Sequence, residues 1–169
     1  MDPFEDVLTA NAEYSEHFAD AGTPGRAARG LAVVTCMDSR INPLGMLGLQ
    51  PGDAKILRNA GARVTDDVLR TLVLAVHLLD VTRVMVVPHT DCRMTKVTDE
   101  DVHQELLGRG LDTRSLEFRT VGDQRAALRV DVQKIRSSPY LPKDLAVTGC
   151  VYDVATGLLD VAVPADESH

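Results

Sequence analysis

Leu31-Ala32-Val33-Val34-Thr35-Cys36-Met37-Asp38-Ser39-Arg40 runs five apolar or β-branched residues into a cysteine, an aspartate and an arginine at alternate positions. Leu31 to Thr35 lacks polar alternation, so it reads as a strand buried on both faces of a parallel sheet. If the backbone stays extended beyond it, Cys36, Asp38 and Arg40 point to one side. Arg83-Val84-Met85-Val86-Val87 has the same character and leads to His89-Thr90-Asp91-Cys92. A single turn there would bring His89 and Cys92 together. Ala54 to Leu57, after the turn Gln50-Pro51-Gly52-Asp53, is a third strand candidate. Strands alternating with helices predict an α/β domain with a central, mainly parallel β-sheet flanked by helices. Both motifs then sit at carboxyl ends of strands, where such sheets bind ligands.

The helical segments follow from their caps and periodicity. Asp66 to Asp80 has Thr65 as N-cap, two acids in its first turn and apolar residues at 68, 69, 72, 73, 76 and 79, the pattern of a crossover helix. Thr98-x-x-Asp101 opens another, as a capping box with Asp in place of Glu, and Asp123 to Arg136 forms a further one stopped by Ser137-Ser138-Pro139. Leu145 to Val154 and Leu158 to Val163 read as a C-terminal hairpin at the sheet's edge. Residues 3–20 make an N-terminal helix, with Asp2 as cap, Pro3 at its first position and Phe4, Val7, Leu8 and Phe18 along one stripe. Ala21-Gly22-Thr23-Pro24-Gly25 detaches it, so that it packs either on its own domain or on a second subunit.

The 169 residues suit one domain spanning 1–169. A compact monomer of this size exposes roughly 8,000 Å². With 25 acidic against 18 basic residues the formal charge is −7, which argues against nucleic-acid and anionic-membrane partners. The five apolar residues Leu72 to Val76 typify the longest such runs, far short of the roughly 20 that span a bilayer. The start Met1-Asp2-Pro3-Phe4-Glu5-Asp6 is acidic where a signal peptide is basic, so a cytoplasmic location is expected. Three cysteines in a reducing compartment read as metal ligands or buried thiols, not a disulfide framework.

Taken singly, Cys36 and Cys92 could be core thiols, His89 a core histidine, and Asp38 with Arg40 an ordinary ion pair. Together, two thiolates and one imidazole are a Zn²⁺ set, and three protein ligands leave a fourth position for water. Asp38 can accept a hydrogen bond from that water or occupy the position itself, with Arg40 holding its carboxylate from behind. Cys150 reads as a core thiol, His77 as a partly buried structural histidine, and His103 and His169 carry no functional signal.

These motifs resemble the beta-class carbonic anhydrases, in their compact prokaryotic branch. Cys36-x-Asp38-x-Arg40, then Leu57-Arg58-Asn59-Ala60-Gly61, then His89-x-x-Cys92 match in order, and the likeness runs from about Leu31 to Val163. The resemblance implies one Zn²⁺ per chain on Cys36, His89 and Cys92, a catalytic dyad of Asp38 and Arg40, and Ala60 at a substrate-cleft position. It implies a lyase that hydrates CO₂ reversibly to bicarbonate by attack of zinc-bound hydroxide, in a cleft at the interface of a homodimer or dimer of dimers. A carbonyl sulfide or carbon disulfide hydrolase on the same scaffold would need the same groups, and a non-catalytic zinc protein would keep Asp38 as fourth ligand. Two departures stand out. Lys55 replaces a bulky apolar residue and would make the cleft more polar, and Arg93 follows the second cysteine where the family has Gly. Arg93 either points away with ordinary dihedrals or sets a guanidinium beside the cleft.

Overall fold

The computed structural model describes residues 2–165, so His169 lies outside the described residues. Strands β1 (Leu31–Cys36), β2 (Ala54–Asn59), β3 (Arg83–Val87), β4 (Ala146–Tyr152) and β5 (Leu159–Val163) form one sheet in the order β2-β1-β3-β4-β5. The first four run parallel and β5 closes the edge as the antiparallel arm of a hairpin. The helices are α1 (Glu5–Glu16), α2 (Asp66–Leu78), α3 (Asp99–Leu107) and α4 (Gln124–Arg136). The connection from β1 to β2 is not an α-helix. It is a loop with one short 3₁₀ turn, Gly45–Leu47.

Alternation along the two central strands divides the core. Ala32 and Val34 of β1 and Val84 and Val86 of β3 face α2 and α4, packing on Val68, Leu72 and Ala75 and on Leu128, Val132 and Ile135. Leu31, Val33 and Val87 face the other way, into a smaller cluster roofed by Leu44, Met46, Leu47 and Leu49 of the β1–β2 loop. Apart from Thr35 and Arg83, both strands are therefore apolar along their length because each face is covered, and they lie at the sheet centre.

The caps form as expected. Thr65 accepts from the Val68 N–H, Asp123 accepts from the Ala126 N–H, and Thr98 and Asp101 complete a capping box. The first helix is shorter than residues 3–20: the Asp2 carboxylate accepts from the Phe4 N–H at 2.9 Å, Asp2-Pro3-Phe4 turns before the helix begins, and the helix ends at Glu16. None of its residues is buried. One smaller expectation also changes. His77 is exposed rather than partly buried, although its Nε2 lies 2.9 Å from the Tyr140 carbonyl. His103 is half-buried, with Nδ1 2.9 Å from the Thr113 hydroxyl and its ring against Phe118.

Candidate metal centre and active site

Cys36 is the last residue of β1, and parallel pairing sets it opposite Asn59 at the end of β2. His89 follows β3 by one residue beyond Pro88, and forms a bridge with Tyr152 of β4. Three adjacent strands thus deliver their carboxyl ends to one place. The chain then turns, with Asp91 in the left-handed region at φ 55°, and returns Cys92 beneath His89. Asp tolerates this conformation better than most residues because its short side chain bonds locally. One ligand atom from each of Cys36, His89 and Cys92 lies within 4.8 Å of the others, and all three residues are buried.

The imidazole is set for one role. Nδ1 lies 2.7 Å from the Thr90 carbonyl, a pairing that requires Nδ1 to carry the proton and donate. Nε2 then offers a lone pair, and it is buried with no hydrogen-bond partner. A buried polar atom without a partner is costly, and a metal ion is the partner that two adjacent sulfurs would share with it. Gln124 of α4 fixes the histidine from behind, donating from Nε2 to the His89 carbonyl at 2.8 Å.

The thiols carry unequal charge. Cys36 is lowered below the ordinary thiol range because Cys92 hydrogen-bonds to it and the Gly61 N–H donates to its Sγ at 3.3 Å. Cys92 is raised by that same pairing and by burial. A divalent cation would favour the thiolate at both positions, as thiolate ligation requires. The donor set fits zinc: two soft thiolates and one imidazole exclude a Mg²⁺ or Ca²⁺ preference.

Met37 keeps the strand's course, its N–H donating to the Asn59 carbonyl at 2.9 Å, and the chain turns only at Asp38. The Arg40 N–H donates to Asp38 Oδ1 at 2.9 Å and the Ile41 N–H to the Asp38 carbonyl at 3.1 Å, a turn closed by the aspartate side chain. Asp38 thus lies beside the cluster, with Oδ2 3.7 Å from His89 Nε2, and the turn after it, not strand alternation, brings Arg40 to the same side. Arg40 grips the carboxylate bidentately, Nε to Oδ1 at 2.9 Å and Nη2 to Oδ2 at 2.8 Å. That grip holds the Asp38 carboxyl well below the usual carboxylate range. Asp38 is therefore ionised and acceptor-only at neutral pH.

Arg58 is the residue whose role the sequence reading missed. From β2 it donates to the carbonyls of Cys36 at 2.9 Å, Asp38 at 2.6 Å and Ile41 at 3.3 Å, pinning the whole turn that carries the dyad. The Arg58-Asn59 pair was visible in the sequence; its three acceptors, which are backbone carbonyls on another strand's exit, were not. Ala60 begins the 3₁₀ turn Ala60–Ala62 after β2. It lines a hollow of about 430 Å³ with Arg58, Asn59, Arg63 and Phe118, beside the sulfur cluster rather than over it.

Both departures resolve. Lys55 donates to the Gly25 carbonyl and so ties the linker to β2, four residues upstream of the site end of the strand, rather than making the cleft polar. Arg93 has an ordinary negative φ, its side chain is 73% exposed, and its Nη2 lies 3.8 Å from Glu105. Cys150 is a buried core thiol as expected.

A family profile described as carbonic anhydrase matches residues 31–159. Beta-carbonic anhydrase 1 of Mycobacterium tuberculosis is 32% identical over 160 residues, covering 95% of this chain and 98% of its own length. The crystal structure of carbonic anhydrase from Streptococcus mutans superposes with a TM-score of 0.90 at 36% identity, covering 96% of this chain and 98% of that one. A carbon disulfide hydrolase of an Acidianus strain is 34% identical over 153 residues, covering 76% of this chain and 74% of its own.

Proposed function

This chain belongs to the beta-class carbonic anhydrases, and from that premise we propose that it hydrates carbon dioxide reversibly to bicarbonate with one Zn²⁺ per chain. The observation that carries the reading is the buried cluster of Cys36, His89 and Cys92, with its unpartnered imidazole nitrogen, beside a carboxylate held by Arg40. These three residues would hold the ion. Zinc, when bound, brings the ionisation of water down toward roughly pH 7 and so makes hydroxide available near neutrality.

The rest is done by the chain. Both Asp38 oxygens accept from Arg40: Oδ1 takes two bonds, from the backbone N–H and Nε, while Oδ2 takes one and keeps a lone pair. Oδ2, the oxygen nearer the cluster, takes the hydrogen of the attacking oxygen and leaves that oxygen's lone pair aimed at the substrate carbon. Arg40 keeps Asp38 ionised and drawn back from the ligands. A non-catalytic site with Asp38 as permanent fourth ligand would have no use for such a grip. Arg58 fixes the turn on which both residues sit, and Ala60, in the neighbouring hollow, is the small apolar contact proposed for CO₂. The likeness to carbon disulfide hydrolase keeps carbon disulfide and carbonyl sulfide as competing substrates, since attack on any linear triatomic carbon uses the same groups.

Zinc analysis of protein purified without chelator, followed by hydration or hydrolysis assays with CO₂, carbonyl sulfide and carbon disulfide in parallel, tests the proposal. It expects about one Zn²⁺ per chain, removed by Cys36→Ser, and the highest kcat/KM with CO₂. Zinc near zero, or turnover of carbon disulfide alone, would overturn it. A cytoplasmic enzyme is the setting proposed; among the described residues no helix is long and apolar enough to cross a membrane.

The assembly proposed is a homodimer, alone or as a dimer of dimers. On α1, Phe4, Val7, Leu8 and Tyr14 are exposed, and the helix carries Glu5, Asp6, Glu13 and Glu16 with no basic residue. Elsewhere the surface has a hollow of about 450 Å³ lined by Leu31, Leu47, Leu49 and Met85, with Arg29 and Arg83 at its rim. Neither arginine has a carboxylate partner among the described residues. An apolar, acidic helix of a second copy matches that hollow in both respects.

A further inference from the structure

Arg40 uses more of its guanidinium than the grip on Asp38 requires. Its Nη1 donates to Asp91 Oδ2 at 2.8 Å and its Nη2 donates also to the Asp91 carbonyl at 3.2 Å. Asp91 Oδ1, the remaining carboxylate oxygen, is paired with Lys96. Asp38, Arg40, Asp91 and Lys96 thus form a line of four charges alternating in sign, running from the metal cluster out to the surface.

We propose that Asp91 is a positioning residue for the hydration reaction. It acts through Arg40, keeping the Nε–Nη2 edge turned to Asp38, while Lys96 holds Asp91 in place. The proposal rests on the reading of Asp38 as the group that orients the attacking oxygen.

Two features carry it. The Arg40 side chain is 45% exposed, so packing alone does not fix it, and a long exposed side chain samples several rotamers unless bonds restrain it. Bonds on both edges of the planar group leave one orientation, and among the described residues only Asp91 supplies those on the far edge. The second feature is the backbone. Asp91 sits at φ 55°, a conformation that costs a non-glycine residue, and it presents both its carbonyl and its carboxylate to the same guanidinium. An isolated exposed pair of Asp91 with Lys96 would be worth little. Joined to Arg40, its effect is on where Arg40 points and not on stability.

The test uses Asp91→Asn and Asp91→Gly, whose new residues both accept a positive φ, so the turn that returns Cys92 is kept. In the zinc-loaded enzyme each is expected to lower kcat for CO₂ by about fivefold to tenfold with KM little changed, as for the loss of one charge-assisted bond in positioning. Zinc content and melting temperature should match the parent. Lys96→Met should act in the same direction by about twofold. In the Arg40→Ala background, Asp91→Asn should add nothing, because its effect passes through Arg40.

A second measurement does not use turnover. In the Co²⁺-loaded protein the visible bands report the surroundings of the ion, and those of Asp91→Asn should move toward those of Arg40→Ala. Unchanged kcat and bands in both Asp91 variants would overturn the proposal. So would an equal fractional loss in the Arg40→Ala background, or a loss of kcat accompanied by lost metal or a fallen melting temperature. If the parent holoenzyme leaves CO₂ untouched, the functional reading fails, while the Co²⁺ bands still decide whether Asp91 sets Arg40.

Discussion

Arg93 stands next to a cysteine of the proposed metal cluster and sends its side chain to solvent beside Glu105. The close backbone turn that glycine would permit there is made one residue beyond the histidine–threonine pair, by Asp91, so Arg93 needs no unusual dihedral. Arg93→Gly should leave CO₂ hydration and bicarbonate inhibition within about twofold of the parent. It should cost stability by about 1 kcal/mol at most, the backbone entropy of glycine in a short helical turn. Inhibition constants and melting curves at one ionic strength check this; a tenfold change in inhibition would put the guanidinium in the cleft. The clustering of Cys36, His89 and Cys92, with the Asp38–Arg40 pair beside it, was legible because these residue types follow strand ends. The route by which Arg40 reaches the site was misread, because strand alternation was extended past Asp38 into residues that form a side-chain-closed turn. Arg58 and Gln124 were not legible as site residues, since each acts through bonds to backbone carbonyls of residues far away in sequence.

Among the elements, β4 and α4 show the tightest tolerance. A Cβ on Gly149 would lie 2.9 Å from Leu128 Cγ and 3.0 Å from Val132 Cγ2, both on α4. Gly149→Ala should therefore destabilise by about 1–3 kcal/mol through overpacking, read in chemical denaturation. A neutral result would mean α4 can draw back from the sheet. Asp99, in the first turn of α3, anchors the returning loop: it accepts from the N–H groups of Phe118, Arg119 and Thr120 and from the Thr120 hydroxyl. The Thr120 bonds chiefly lower its carboxyl to about 2. A carboxylate with a lowered pKa stabilises the fold above its unfolded value near pH 3.9, and that stability is lost as pH falls toward 2. The melting-temperature gap between the parent and Asp99→Ala should hold at pH 7 and narrow between about pH 4 and 2; a constant gap would contradict the role given to its charge. Strands and capped helices were legible to within a few residues from periodicity and caps. The β1–β2 connection was not, because a loop whose apolar residues roof the sheet has neither a strand's nor a helix's period.

At the scale of the whole molecule, the chain exposes 10631 Å² of surface, against roughly 8,000 Å² for a compact monomer of its size. The exposed apolar side of α1 adds to that surplus. Light scattering at micromolar concentration should give a dimer or tetramer, and Val7→Asp with Leu8→Asp should shift it toward monomer; a parent monomer with full activity would contradict the assembly. The sequence carried the detachment of α1 in its Gly/Pro linker, but not what covers the helix, because a stripe on one helix does not specify the surface opposite. The central claim is that the Cys36–His89–Cys92 cluster and the Asp38–Arg40 pair together make a centre for CO₂ hydration. Stopped-flow hydration by the parent and Asp38→Ala, compared at equal zinc content, tests it most directly. The account predicts that Asp38→Ala keeps its zinc and loses at least about a hundredfold in kcat/KM, in the range of an oriented polar group aiding the transition state; equal rates at equal zinc would contradict it.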